Sequence, residues 1–245
     1  MLTRYLPIFI ILSIIAEILG TVGGFGSSVF FVPMASYFMD FQTVLGITAL
    51  FHLSSNITKI GFFRKGYDKK LVLYLGIPAV LFVAIGAFFS KFVNPELLNF
   101  FLGGFLLLFG LLFLLAKSLK IEANNKNAIV GGALSGLIAG LLGTGGAIRG
   151  ATLTAFNLNK EKFIATSAII DLGIDLSRSI IYSYNGYVHL HDLYLIPILI
   201  VVSIIGTYLG KRILDKITHV QFKRFVLFLL VGIGVLTLLF NIKNI

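Results

Sequence analysis

A 245-residue chain that is 58% hydrophobic and only 12% charged lies outside the ordinary soluble classes, where about 25% of residues are charged. Its formal charge of +10 reads as membrane topology and not as nucleic-acid binding, because lysine and arginine gather in short stretches between apolar runs. Cysteine is absent, which excludes disulfides and thiolate metal sites.

The chain opens with MLTRYLPIFIILSIIAEILG. This run resembles a signal peptide, but it lacks a small-x-small cleavage site and carries Glu17 where cleavage would fall, so it is expected to be retained. A helical segment over 5–19 is followed by the glycine cluster 20-GTVGGFGS-27 and a second segment over 26–39. Full spans follow over 43–63, 70–91 and 96–117. The plan then repeats: a segment over 128–142, the cluster 141-LLGTGGAIRG-150, a segment over 147–157, and spans over 162–184, 192–211 and 221–241. The windows 71–90, 97–116, 193–210 and 225–242 contain no Asp, Glu, Lys or Arg. Each is long enough as a helix to cross a hydrocarbon core of ~30 Å. The segments flanking the glycine clusters, at 11 to 15 residues, are expected to be re-entrant hairpins or short tilted spans.

Internal matches extend beyond the glycines. 66-GY-67 recurs as 186-GY-187, 77-IP-78 as 196-IP-197, 85-IGAFFSK-91 as 205-IGTYLGK-211, and 93-VNPELLNFF-101 aligns with 217-ITHVQFKRF-225. Residues 1–122 and 123–245 therefore read as two repeats within one integrated membrane domain. If each broken pair returns to its starting side, Arg64, Lys65, Lys69, Lys70, Lys117, Lys120, Lys126, Lys160, Lys162, Lys211, Arg212, Lys216, Lys223 and Arg224 share one side, against Arg4, Lys91 and Lys243 on the other. This bias makes the first side cytoplasmic and puts both termini outside. Three crossings per half make the repeats inverted, the plan of alternating-access transporters with the substrate at the repeat interface. The expected fold is an all-α polytopic membrane protein in the cell membrane. It consists of two inverted repeats, each a glycine-broken pair plus three full helices.

Gly23, Gly24, Gly26, Gly145 and Gly146 are candidate substrate ligands together with Ser27. Consecutive glycines break a helix and free the backbone N–H groups of the next one, which suits an anion. The run 132-GALSGLIAG-140 reads instead as a close-packing face. Arg149 stands at the positive end of segment 147–157, a place that calls for an anion or a carboxylate; the carboxylate would be Glu17, Asp171 or Asp175. Asp171, Asp175 and Arg178 recur at i, i+4 and i+7, and His52, Ser55, Asn56 and Lys59 form a corresponding stripe on span 43–63. Intramembrane ionisable groups of this kind mark ion or proton pathways; the alternative is mutual neutralisation and helix gluing. Ser55, Asn56 and Lys59 join the substrate-binding candidates, and Glu17, His52, Asp171, Asp175 and Arg178 form a candidate charge network. His189, His191 and Asp192 read as a solvated loop, so no metal is expected. No cofactor is expected either, since no nucleotide-binding motif occurs. Pro78 and Pro197 read as matched mid-span kinks.

The paired clusters GTVGGFGSSVFFVP and LLGTGGAIRG, the span carrying 52-HLSSNITK-59 and the two G-Y turns together resemble the TauE/SafE family of sulfite-exporter-like membrane proteins over essentially the whole chain. One departure is the missing proline after the second cluster, where 151-ATLTAF-156 stands in place of a counterpart to Pro33. The resemblance implies transport of sulfite, thiosulfate, organosulfonates or small organic acids.

The leading expectation is therefore a secondary anion transporter using alternating access, not an enzyme. Its partners are a small anion and the lipid bilayer, and further copies of the chain are compatible with it. The alternatives are an intramembrane hydrolase using Ser27 or Ser55 with His52, and a non-transporting membrane subunit. Neither serine stands in a Gly-x-Ser-x-Gly setting.

Overall fold

A computed structural model describes residues 2–115, 121–216 and 219–242, all helix, turn or irregular loop. The expected placement of Lys117, Lys120 and Lys243 falls outside these residues. The helices are α1 (Leu2–Gly23), α2 (Ser28–Ala35), α3 (Phe41–Phe62), α4 (Lys69–Leu71), α5 (Ile77–Phe89), α6 (Pro95–Leu115), α7 (Asn125–Leu142), α8 (Gly146–Thr154), α9 (Lys160–Tyr184), α10 (Leu195–Leu214) and α11 (His219–Ile242). A π-helical turn, Val72–Gly76, joins α4 to α5.

Local chemistry sets the helix starts. Asp40, Asn124 and Asn159 each accept a backbone N–H from three residues on, capping α3, α7 and α9, as short polar side chains do at N-caps. The helices before the two breaks end on left-handed glycines, Gly24 at φ 70° and Gly143 at φ 76°, a conformation that costs glycine nothing. Pro78 is the second residue of α5, just past the π-helical turn; it has no N–H to offer the preceding turn, and the wider turn absorbs the loss.

Two expectations need correction here. The first member of each broken pair is not short: α1 has 22 residues and α7 has 18. Gly20 and Gly132 remain inside their helices, so the break comes only where a glycine takes positive φ. The short members are α2 and α8, with 8 and 9 residues. Pro197 lies in the first turn of α10, where proline is tolerated, so it makes no mid-span kink. Four described helical stretches are long and apolar enough to cross a membrane: Tyr5–Gly23, Lys69–Phe92, Pro95–Leu112 and Leu195–Leu214. Leu81, Leu108, Val201 and Leu236, on α5, α6, α10 and α11, are exposed, a surface that lipid solvates and water does not.

The helices pair in matched fashion. α1 packs on α10 and α7 on α5, while α3 packs on α9 and α6 on α11. The α7–α5 pair is parallel and tight: Cβ atoms built on Gly132, Gly136 and Gly140 would lie 2.1–2.4 Å from the carbonyl oxygens of Leu75, Ala79 and Val83. This is the close backbone approach expected of that run. On α10, Gly206 and Gly210 make the equivalent approach to Glu17 and Thr21 of α1.

The loops sort to two ends. Lys65 pairs with Glu161, Lys162 with Asp68, and Lys211 donates to the Phe62 carbonyl, so the lysine-rich turns 63–69, 157–162 and 211–216 share one end. At the other end Asn185 donates to the Ala87 carbonyl and Ser90 meets the Tyr187 hydroxyl. Tyr5 contacts Phe38, so the α1/α2 hairpin has its open side away from the lysine-rich end. α8 runs back along α7, with Thr152 against Gly131, so the α7/α8 hairpin has its open side toward that end.

Gly136→Ala should lower unfolding stability in detergent by about 1–3 kcal/mol through overpacking. Gly61→Ala, with nothing within 4 Å of its Cβ, should be neutral or stabilising by up to ~1 kcal/mol. Equal thermal midpoints for the two variants would contradict the packing described.

Candidate functional site

The two glycine breaks meet in the middle of the bundle. A Cβ on Gly146 would strike the Phe25 carbonyl oxygen, and one on Gly150 would strike the Phe25 ring; only glycine permits either approach. Ser28 Oγ donates to Thr144 Oγ1 across the junction at 3.2 Å. Behind it, Ser135 Oγ holds the Gly145 carbonyl at 2.9 Å. In α2 Phe30 and Phe31 both donate to the Ser27 carbonyl, and in α8 Arg149 donates to Gly145, so the N–H groups ahead of Phe30 and of Arg149 are not used by their own helices. Around the junction lies a small cavity with room for about one water molecule.

Three buried cations converge here, each with a carboxylate. Lys59 Nζ lies 2.7 Å from Glu17 Oε1. Glu17 also accepts from Ser27, Ser55 and Thr207 at 2.6, 2.7 and 2.9 Å. Arg178 Nε donates to Asp175 Oδ1 at 2.6 Å and its Nη1 to the Gly143 carbonyl at 2.6 Å. Asn56 Nδ2 donates to the other oxygen of Asp175 at 2.6 Å, linking the two polar stripes. Arg149 pairs with Asp171 through Nη1, and its Nε donates to Ser167 at 3.0 Å. Unpaired, each charge would be prohibitively costly at this depth.

His52 joins two of the pairs. Ser27 gives its single proton to Glu17, so the 3.2 Å contact between Ser27 Oγ and His52 Nε2 is donated by the imidazole. The Nδ1 lone pair then faces Arg178 Nη2 at 3.5 Å. A continuous chain therefore runs from Lys59 through Glu17, Ser27, His52 and Arg178 to Asp175.

Of the residues expected from sequence, Gly26, Ser27, His52, Asn56, Lys59, Gly145, Gly146, Arg149, Asp171, Asp175 and Arg178 line the cavity. Gly24 lines a second cavity beside it. Glu17 and Ser55 lie behind Lys59 and hold it. Gly23 is the last residue of α1 and lines neither cavity. Of the three carboxylates open to Arg149, the structure selects Asp171. Sequence reasoning missed Ser28, Thr144, Ser167 and Thr207; single hydroxyls in apolar helices carry no signal until their neighbours are known. His189 and His191 stack at 5.4 Å in the loop before α10, with His191 3.3 Å from Asp192.

The sequence model of the sulfite exporter TauE/SafE family matches residues 9–237, a stretch that includes both glycine breaks and the three buried ion pairs. The chain belongs to the sulfite exporter TauE/SafE family. No curated protein matches it. Membership makes the chain a membrane transporter of sulfite-like anions, and the central cavity is where this TauE/SafE protein concentrates its buried charge. It lies at the glycine breaks and not in the histidine loop.

Glu17→Gln should destabilise the protein by about 3–5 kcal/mol, because Lys59 is left as a buried unpaired charge. The double variant Glu17→Gln/Lys59→Met should recover most of that loss, as read by denaturant titration in detergent. A single variant as stable as the parent would contradict the pairing.

Proposed function

We propose that this protein is a secondary transporter that carries a small sulfur oxyanion, an organosulfonate or a small organic acid by alternating access. The anion binds at the junction of the glycine breaks, against Arg149 and the free first-turn N–H groups of α8, with Lys59 and Arg178 adding positive potential. The observation that carries this reading is Arg149 itself, buried in the first turn of α8 where the two breaks touch. A guanidinium at the positive end of a helix is unfavourable unless an anion joins it; Asp171 supplies one here, and in this reading sulfite or a sulfonate, whose oxygens suit the fork, takes that place. Glu17, Asp171 and Asp175 are the candidate carriers of coupling protons, joined in part by the Ser27–His52–Arg178 chain.

In this reading residues 1–122 and 123–245 are inverted repeats. The matched pairing of α1 with α10 and of α7 with α5 supports it, as do the opposed hairpin openings. The lysine-rich end faces the cytoplasm, following the charge bias, and both termini face outward.

A hydrolase reading draws on the Ser27–His52 hydrogen bond at the cavity, but the geometry argues against it. Ser27 spends its proton on Glu17, so His52 cannot take it, and the far nitrogen of His52 faces a guanidinium in place of an orienting carboxylate.

Flux of labelled sulfite into proteoliposomes tests the proposal. The parent protein should move sulfite, or a related sulfur anion in competition with it, and Arg149→Ala should lower the rate at least ten-fold while still folding. Unchanged flux in Arg149→Ala would remove the arginine from the site. No flux of sulfite, thiosulfate, sulfonate or carboxylate by the parent would overturn the transport assignment.

A further inference from the structure

The three buried acids are held very differently. Glu17 is fully buried and accepts from Lys59, Ser27, Ser55 and Thr207. Asp175 is 3% exposed and is held on both oxygens, by Arg178 and Asn56. Asp171 is 16% exposed, and among the described residues its hydrogen-bonding partner is Arg149 alone. The arginine is the better-held member of that pair, because Ser167 accepts from its Nε at 3.0 Å. If the pair opens, Asp171 is the side that moves.

Asp171 also stands at a boundary. It lines both the central cavity and the second one, whose other walls include Thr21, Lys59, Ile164 and Ser167. Ile164 packs with Phe63 and Leu214 at the lysine-rich end, so the second cavity lies on that side of the junction. Thr21 Oγ1 is buried there without a hydrogen-bond partner among the described residues. Toward the opposite end the central cavity is backed by close-packed rings: Phe51 lies 5.0 Å from His52, Phe31 4.9 Å from Phe51, and Tyr182 stacks on Tyr187 at 5.4 Å. One side of the site is closed by a packed core, the other by Gly26, Lys59 and Asp171, which line both cavities.

We propose that Asp171 is a tethered competitor of the transported anion: its carboxylate occupies Arg149 in the empty protein, and an anion arriving from the lysine-rich side through the Thr21–Ser167 chamber takes its place. The inference rests on the reading of Arg149 as the anion ligand. A tether that fills the site for most of the time weakens the apparent affinity by the fraction of time the site is free. Such a carboxylate keeps Arg149 neutralised between cycles and opens only to a group that replaces its charge.

The test uses sodium sulfite as the probe and the thermal midpoint of purified protein as the readout, since a ligand bound only to the folded state raises it. In Asp171→Asn the sulfite concentration giving half-maximal stabilisation should fall at least ten-fold below that of the parent, whereas Asp171→Glu should stay near the parent value. If Asp171→Asn folds only when prepared in sulfite, the anion is replacing the missing carboxylate and the proposal stands. An unchanged or weaker response in folded Asp171→Asn, or failure to fold even in saturating sulfite, would overturn it. A parent that responds to no sulfite, thiosulfate, sulfonate or carboxylate would sink the anion reading of Arg149 itself, which is a separate failure.

Discussion

The structure depends on one constraint: charges placed at membrane depth must be neutralised there. Lys59, Arg149 and Arg178 are set against Glu17, Asp171 and Asp175, three positive and three negative groups within an otherwise apolar bundle, and His52 donates from one nitrogen and accepts at the other. Neutrality explains why these side chains fold inward together. It does not require that they surround a cavity at a pair of helix breaks. The proposed anion site builds on that placement, because a balanced set of charges can exchange one member for a visiting ion.

Glycine makes the placement geometrically open. The helix ends at Gly24 and Gly143 need positive φ, and the contact of Gly146 with Phe25 leaves no room for a Cβ. Broken helices at membrane depth are tolerated only where the freed backbone is buried or lines a cavity, and here it does both. The glycines of α7 and α10 have a different task, allowing close packing on α5 and α1. The same residue type therefore serves packing in regular helix and close backbone approach at the breaks, where the proposed site lies.

Much of this was legible in the sequence, for identifiable reasons. Each of the ten helical segments expected has a counterpart, because long apolar runs between capping residues such as Asp40 and Asn159 admit few alternatives. The polar stripes of α3 and α9 were visible from their i, i+4 spacing, and the structure joins them through Asn56 and Asp175. The length of α1 was underread, since a glycine in helical conformation and one that breaks the helix look alike until φ is known. The partner of Arg149 was open among three carboxylates because pairing depends on helix packing, and no local pattern encodes it. Ser167 and Thr207 were missed for the same reason: each becomes meaningful only when a distant helix brings it an arginine or a glutamate.

The most direct test of the account is an experimental structure with selenite, the heavier analogue of sulfite, located by its anomalous scattering. The account predicts selenium at the junction of the breaks, within hydrogen-bond reach of Arg149 and the first-turn N–H groups of α8, with the Asp171 carboxylate turned away from the guanidinium. Selenium bound elsewhere, with the Arg149–Asp171 pair intact, would contradict it.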